Sequence, residues 1–574
     1  MVQILNKTTF NGMQKYNELL RTLLLNRGIA DETEADYFLN PDYKRDFHDP
    51  FLMLDMDKAC TRLFNAIEKG EKIVIYADYD CDGIPGAVVL QDLFKLINYK
   101  NFEIYIPKRN SEGYGLNLSA IKEFAKKGAK LLITIDLGIT AVNEVKQAKK
   151  DGIDVIITDH HLPRLDVAGP ASFVLPRAYA ILNPKVGDSY PEKMLCGAGV
   201  VFKFAQAFIS KYREHFKIRE GAEKWMLDMA GLATLSDMVP LLGENRAMAY
   251  FGIKVLRKSS RPGLQKLLAK MNIDQRYLTE DDVGFMIAPR INAASRMDDP
   301  MRAFELLSTD DEVMAGTLVN HLSKINDERK IMVASIMREV NKTLEKRTIK
   351  EVIVVGSPAW RVGVLGLVAS KISDAYKRPV FVWGKDENDC IKGSCRSDGS
   401  VSVVELMNGS DEFFIESGGH ELAGGFTVKN DKIYFLEEEL CRSFHKVKRD
   451  FLTSPEQENY DAKSDLGEVN IKNWKEIEKM APFGLANSKP SFLFESVKIE
   501  NIKKFGKNGS GEHLEITCSH NNAKANTKAI SFFSTPDSFK VPISAGININ
   551  LLATFDLSRF RGREELRLRI VDIL

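Results

Sequence analysis

The chain has few of the features that tie a protein to a membrane, a zinc site or an oxidising compartment. Its seven cysteines are scattered at 60, 81, 196, 390, 395, 441 and 518, and no two form a Cys-x-x-Cys pair. That excludes a disulfide framework of the secreted kind and argues against structural zinc. No apolar run approaches the ~18–20 residues that cross a bilayer. The opening stretch, MVQILNKTTFNGMQKYNELL, has no basic segment followed by an apolar block, so no signal peptide is expected, and a cytoplasmic protein is. Excess charge of one sign is missing too: 80 Lys+Arg stand against 79 Asp+Glu, a net +1. A protein that coats duplex DNA is expected to be basic all over, so a polyanion would have to be held in a confined channel. There is no internal repeat, and the one polar connector lies around 453–464. Histidine is scarce, with nine in 574 residues.

Against this background, short β-rich runs alternate with helical text. Lys72–Ala77 (KIVIYA), Phe102–Ile106, Lys130–Ile135 (KLLITI) and Asp154–Thr158 (DVIIT) read as buried strands. Helices are expected at 85–98, 119–127 and 140–150, giving βαβ units and a mainly parallel sheet. From Thr309 to Lys346 one long helix is predicted, with Thr309 and Glu312 at capping-box spacing. A helix that long joins domains. A second α/β unit follows, with strands at 351–355 and 379–383 around a helix at 364–376. After about 455, five short strands suit a small OB-like barrel. The expected fold is therefore α/β in five parts: an N-terminal helical extension at 1–50, a first α/β domain at 51–305, the long helix at 306–348, a second α/β domain at 349–455, and a nucleic-acid-binding β-barrel at 456–574.

The candidate chemistry sits at strand ends, where open α/β sheets bind ligands. Asp78, Asp80 and Asp82 follow the first strand in YADYDCDG. If the strand geometry persists, all three project to one side. Three like charges so close need a cation, unless they form a solvated acidic turn. Asp136 ends the LLITI strand, Asp159-His160-His161 ends DVIIT, and Asp237 lies in LSDMVPL. Packing alone does not place acids and imidazoles at three successive strand termini. Carboxylates with imidazole and no thiolate favour a hard or borderline ion such as Mn²⁺, with Mg²⁺ as the second candidate. The ligand count allows two ions, an arrangement suited to phosphoryl-ester hydrolysis. Cys81 is expected to point away from the aspartates by strand phase.

The order Asp-x-Asp, Asp, DHH, Asp resembles the DHH phosphoesterase superfamily and, within it, the RecJ nucleases. The likeness extends through NRGI (26–29), FLNP (38–41), YADYDCDG (76–83), EGYGL (112–116), SDMVPL (236–241), APRINAASR (288–296) and NDERK (326–330). It continues in GVLGLVASK (363–371), KGSCRS (392–397), GGHELAGGF (418–426) and APFGLANSKP (481–490). The resemblance implies a DHH domain, a DHH-associated domain, and a 5′→3′ exonuclease that cuts single-stranded DNA to 5′-mononucleotides in repair and recombination. It implies that Asp80 and Asp82 each serve one metal, that Asp136 bridges both, and that His160 and Asp237 complete the second site. Asp78 is then an extra ligand or acceptor, His161 meets the scissile phosphate, and Asp159 orients the histidines. Asp136, His160 and His161 form the catalytic group. Arg109, Tyr114, Asn292, Arg296, Ser394, Arg396 and His420 are expected at the substrate, most of them around a terminal 5′ phosphate. Single-strand-binding protein and a helicase are the implied partners of a monomer that uses no membrane.

Two rival readings are a phosphoesterase for short oligoribonucleotides or cyclic dinucleotides, and a DNA-binding relative without metals. The length of the chain argues against the first, and the full set of acids against the second. Three positions depart from the family pattern: Arg361 in Trp-Arg-Val-Gly where histidine is usual, Ser295 for glycine, and Cys395 for alanine.

Overall fold

Strands buried on both faces need near-continuous apolar sequence, and KIVIYA meets that demand: Ile73 to Ala77 are fully buried. The computed structural model describes residues 13–109, 111–165, 173–447, 460–506, 513–519, 526–559 and 563–574. The polar connector expected at 453–464 falls mostly outside them. The chain forms two compact units, one of residues 49–237 and 252–453, the other of 1–48, 238–251 and 454–574.

In the larger unit, strands Phe102–Tyr105, Lys72–Ala77, Ala129–Ile135, Asp154–Thr158 and Ala180–Leu182 lie side by side in that order, all parallel. Their carboxyl ends therefore share one edge. Residues 197–237 and 252–308 of this unit consist of helices and their connections, in which the sequence marks only Asp237 and the APRINAASR segment.

The long helix runs Glu312–Leu344, 33 residues or about 50 Å. Its cap differs from the expected Thr309 box. Asp311 is the N-cap, and its carboxylate accepts from the Val313 and Met314 amides. Thr309 instead accepts from the Asp311 amide at 3.1 Å. The first half of this helix packs on helices Pro262–Lys270, Ala288–Met297 and Met301–Ser308. Its second half sends Val333, Ile336, Val340 and Leu344 into a core shared with Ile353, Val364 and Val380. That core underlies a mixed sheet ordered Phe414–His420, Ala423–Val428, Ile391–Arg396, Val380–Lys385, Ile353–Gly356. Only the last two strands are parallel to each other.

The smaller unit contains a five-strand barrel of Phe492–Phe505, His513–Ser519, Thr527–Phe532, Glu565–Ile573 and Asn548–Ser558, closed by pairing of the last with the first. Its core is shared with Leu20, Leu23 and Leu24 of helix Glu18–Asn26.

Candidate metal centre and substrate pocket

The first strand stops at Ala77, and the chain turns at once rather than continuing extended. Asp80 causes the turn: its Oδ1 accepts from the Asp82 amide at 2.8 Å and the Gly83 amide at 3.1 Å. Asp82 then takes the N-cap position of helix Gly83–Leu96. The expectation that the three aspartates project together along a strand is thus replaced by a division. Asp78 and Asp80 face Asp136, whereas Asp82 faces His160 and Asp237, and within each trio the ligand atoms lie within 4.8 Å of one another. Asp136, His160 and His161 form a third such trio. Cys81 belongs to none of these trios, and its thiol is buried.

One glycine-dependent contact sets the depth of the site. Asp136 sits in the left-handed region at φ 60°, which aspartate tolerates better than most residues. Beside it, helix Gly197–Phe216 begins, and its first amides donate to both Asp82 oxygens: Gly197 at 2.5 Å and Ala198 at 2.7 Å. A helix N-terminus suits an anion there. A Cβ at Gly197 would lie 2.6 Å from Asp136 Cβ and 2.9 Å from its Oδ1. Gly197→Ala is therefore expected to displace Asp136 and to lower hydrolysis about 100-fold, the effect of an ångström-scale misplacement. Turnover and the melting temperature of the purified variant check this. Full activity would show that Asp136 has room to move.

Asp159 is wholly engaged. Its Oδ1 accepts from the His160 and His161 amides at 2.7 and 3.0 Å and lies 2.8 Å from His161 Nδ1. Its Oδ2 takes the Ile139 amide at 2.9 Å. The two histidines consequently differ. Burial, and then the neighbouring His161, push His160 down to about 3, so it stays neutral. His161 is opposed by burial, yet its bond to Asp159 and that residue's charge raise it above the ordinary histidine value. One ring is a ready ligand, and the other is biased toward the protonated form that suits a phosphate oxygen.

Sequence reasoning missed several supports. Asn183 donates to the His161 carbonyl at 2.9 Å, and Lys185 donates to that of His160. The only sequence signal was Asn-Pro-Lys directly after a short apolar run. Asn292, expected at the substrate, accepts the Cys81 amide at 2.8 Å and so steadies the acidic loop.

The fit to a cation rests on oxygens with no partner. Asp78 Oδ1 and Asp136 Oδ1 are buried without a hydrogen bond; His160 Nε2 lies 3.2 Å from the latter but outside hydrogen-bond geometry. Buried unpaired carboxylates are costly. Burial and then mutual repulsion push Asp82 up to about 7 and Asp237 up to about 9, and raise Asp78 and Asp136 well above the usual range. Between about pH 4 and 9 the metal-free fold therefore holds protons that the unfolded chain has already released. Its stability falls as pH rises through that window. A divalent cation competes with those protons, so Mn²⁺ should raise Tm more at pH 8.5 than at pH 6. Thermal melts with and without Mn²⁺ test this, and equal shifts at both pH values would contradict it.

The remaining expected residues gather beside this cluster. The Arg109 guanidinium lies 5.3 Å from the Tyr79 ring centre. Tyr114 OH is 3.4 Å from the Asp136 carbonyl, and its ring meets Tyr79 edge-on. Arg296 donates to the Gly363 carbonyl at 3.2 Å, which ties it to the second domain. Ser394 and Arg396 point the same way from strand Ile391–Arg396, where a Cβ on Gly366 would lie 3.2 Å from Arg396 Nη2 and 3.6 Å from Ser394 Oγ. His420 stacks almost parallel to His161, with ring centres 6.2 Å apart.

Residues 72–234 match the DHH family N-terminal domain, 349–448 the DHHA1 domain and 460–572 the RecJ OB domain. Over 560 residues the chain is 35% identical to the single-stranded-DNA-specific exonuclease RecJ of Bacillus subtilis (strain 168), covering 96% of this chain and 67% of that one. The chain belongs to the RecJ family. The crystal structure of RecJ from Thermus thermophilus in complex with Mn²⁺ shares the fold, with TM-score 0.76 over 97% of this chain and 76% of that one at 24% identity. A structure of exonuclease RecJ bound to manganese gives 0.58 at 30% identity, over 68% of this chain and 94% of that one.

The departures from the RecJ pattern have plain settings. Arg361 donates to the Met297 carbonyl at 2.7 Å. Ser295 lies inside helix Ala288–Met297 and its hydroxyl bonds the Asn292 carbonyl at 3.2 Å, so no turn is altered. Cys395 is buried in the core of the second sheet. Among the described residues no helix is long and apolar enough to cross a membrane.

Proposed function

We propose that this chain is a metal-dependent 5′→3′ exonuclease that degrades single-stranded DNA to 5′-mononucleotides. The observation that carries the reading is a cluster of five aspartates and two histidines, in which Asp78, Asp82 and Asp136 are buried and two carboxylate oxygens are orphaned, beside Arg109, Arg296 and Arg396. Asp78, Asp80 and Asp136 would hold one ion, and Asp82, His160 and Asp237 a second, with Asp136 between them. Mn²⁺ is the ion proposed, supported by the manganese-bound relatives, and Mg²⁺ offers the same preference for oxygen ligands. When bound, such ions supply water activation and neutralise charge on the attacking and leaving oxygens.

The protein's own groups do the rest. His161, held by Asp159 at 2.8 Å, would offer a hydrogen bond to the scissile phosphate. Tyr114 and His420 border the same space, and Arg109, Arg296, Ser394 and Arg396 take the terminal phosphate. The barrel at 456–574 would guide the strand by backbone charge and stacking. Action as a monomer alongside a single-strand-binding protein and a helicase in repair and recombination belongs to the same reading. The test is release of acid-soluble nucleotide from single strands and from blunt duplex, with Mn²⁺ and after chelation. Release from single strands alone, and only with Mn²⁺, is expected; equal attack on duplex, or activity after chelation, would overturn the reading.

A further inference from the structure

Strands Asp154–Thr158 and Ala180–Leu182 run parallel with Thr158 paired to Leu182, so their chains leave the sheet side by side. The Asp159 amide still donates to the Leu182 carbonyl at 3.0 Å. There the ladder ends, and the carbonyls of His160 and His161 need other donors, because a backbone acceptor withdrawn from water is costly to leave alone. The next residues of the neighbouring chain, Asn183-Pro184-Lys185, supply both. Asn183 is fully buried. Its Nδ2 donates to the His161 carbonyl at 2.9 Å, and its Oδ1 accepts from the Lys185 amide at 2.9 Å. Asparagine forms such a turn to the residue two positions on readily, and Pro184 between them adds a fixed φ. The Val186 amide donates to the Asn183 carbonyl at 3.0 Å and closes a second turn over the same residues. Lys185 is thereby aimed back at the histidines, and its Nζ donates to the His160 carbonyl.

The two histidines are gripped unequally. His161 is fixed by its amide and its ring, both to Asp159, and by its carbonyl to Asn183. Asp159 holds His160 by the amide alone. Yet the His160 ring is the one set between two acidic groups. Its Nε2 lies 3.2 Å from Asp136 Oδ1 and 3.8 Å from Asp82 Oδ2, and its Nδ1 lies 3.9 Å from Asp237 Oδ2. Ligand geometry has to be held to about 0.5 Å, so a second attachment of the His160 backbone matters, and Lys185 provides it.

Charge by itself argues against a lysine in this place. Burial lowers Lys185, while the charges of Asp159 and Asp237 favour its ammonium form. A cation that close to Asp237 repels a second cation placed there. A positioning role and a purely electrostatic one therefore act on ion binding with opposite signs. We propose that Lys185, aimed by Asn183, is a positioning residue for His160. Its hydrogen bond strengthens the hold of Asp82, His160 and Asp237 on their ion more than its charge weakens it. The proposal rests on the two-ion reading of the site and not on the direction of cleavage.

The test reads ion binding without DNA. Mn²⁺ is titrated into the full chain, and the free ion is followed by its electron paramagnetic resonance signal. Lys185→Met removes donor and charge together and keeps a side chain of similar length. One of two binding steps should weaken about 10- to 100-fold, the range for losing a group that orients a metal-binding histidine. The other step should stay within about threefold of the same constant in the unaltered protein. Lys185→Arg, which keeps a donor and a charge, should bring the weakened step back to within about threefold of the unaltered protein. Lys185→Leu, also without donor or charge, gives the same reading should Lys185→Met not fold. Unchanged ion binding without the lysine, whatever happens to Tm, would make Lys185 a structural part only and overturn the proposal. Tighter binding would overturn it too, since charge would then prevail. If the unaltered protein bound no Mn²⁺, the two-ion reading would fail and this proposal with it. If it bound Mn²⁺ but cleaved no single strand, the exonuclease reading alone would fail, and the comparison of variants would still decide the role of Lys185.

Discussion

Asp136→Asn is expected to lower hydrolysis by more than about 10³-fold, the upper range for losing one charge-stabilising group, while the protein remains folded. The amide keeps the size of the side chain, and asparagine tolerates the left-handed backbone found here at φ 60°. What the variant loses is the charge that two of the trios share. Asp136 shares one trio with Asp78 and Asp80 and another with His160 and His161. Because burial and the charges of Asp82, Asp80 and Asp78 oppose its ionisation, the metal-free variant should melt at a higher temperature than the unaltered protein at pH 8. Loss of activity with a gain in metal-free stability separates a functional acid from a structural one. Asp136→Ala should lose as much activity but gain less stability, since alanine in the left-handed region costs roughly 1–2 kcal/mol. Near-normal turnover by either folded variant would remove Asp136 from the site.

The second large effect concerns direction, on which clustered acids are silent. A terminal phosphate carries more charge and one more free oxygen than an internal phosphodiester, and an arginine fork suits it. Arg396 uses Nη1 on the Cys395 carbonyl at 2.7 Å, and its Nη2 lies where a Cβ on Gly366 would come within 3.2 Å. Arg396→Ala should lower kcat/KM on 5′-phosphorylated strands by about one to two orders of magnitude, equivalent to roughly 1.5–3 kcal/mol. On 5′-hydroxyl strands the loss should be within about threefold, because the partner was never there. Equal losses on the two substrates would move Arg396 to another task.

Much of the site was legible because its residues follow apolar strands whose burial leaves little choice of structure. KIVIYA, KLLITI and DVIIT each place their following acid at the edge where parallel strands end. What failed was extrapolation beyond the strand. Asp80 uses its carboxylate to turn the chain, a local side-chain-to-backbone bond that competes with extension, and periodicity carries no trace of it. The long helix was visible from its apolar face, yet its cap belongs to Asp311 because Thr309 bonds the Asp311 amide.

Partners distant in sequence were the least visible. Asn292 reaches Cys81 across 211 positions, and Gly197 reaches Asp82 across 115. The glycine at 197 looks like any helix start until the aspartate beside it is seen. Likewise, the helical extension and the barrel read as opposite ends of the chain, whereas Leu20, Leu23 and Leu24 share a core with Phe492, Phe494 and Leu551. Deleting 456–574 would strip that core, so the role of the barrel in binding is better tested by point substitutions on its surface.

The central claim, that this centre removes nucleotides one at a time from a 5′ end, is tested most directly by the first labelled product. Single strands carrying label on the 5′ phosphate, or separately at the 3′ end, are incubated with the full chain and Mn²⁺ and sampled at low conversion. The expected result is that 5′ label appears at once as mononucleotide, while 3′ label persists in a slowly shortening strand. Early 3′-labelled mononucleotide, or 5′ label released first in longer fragments, would contradict it.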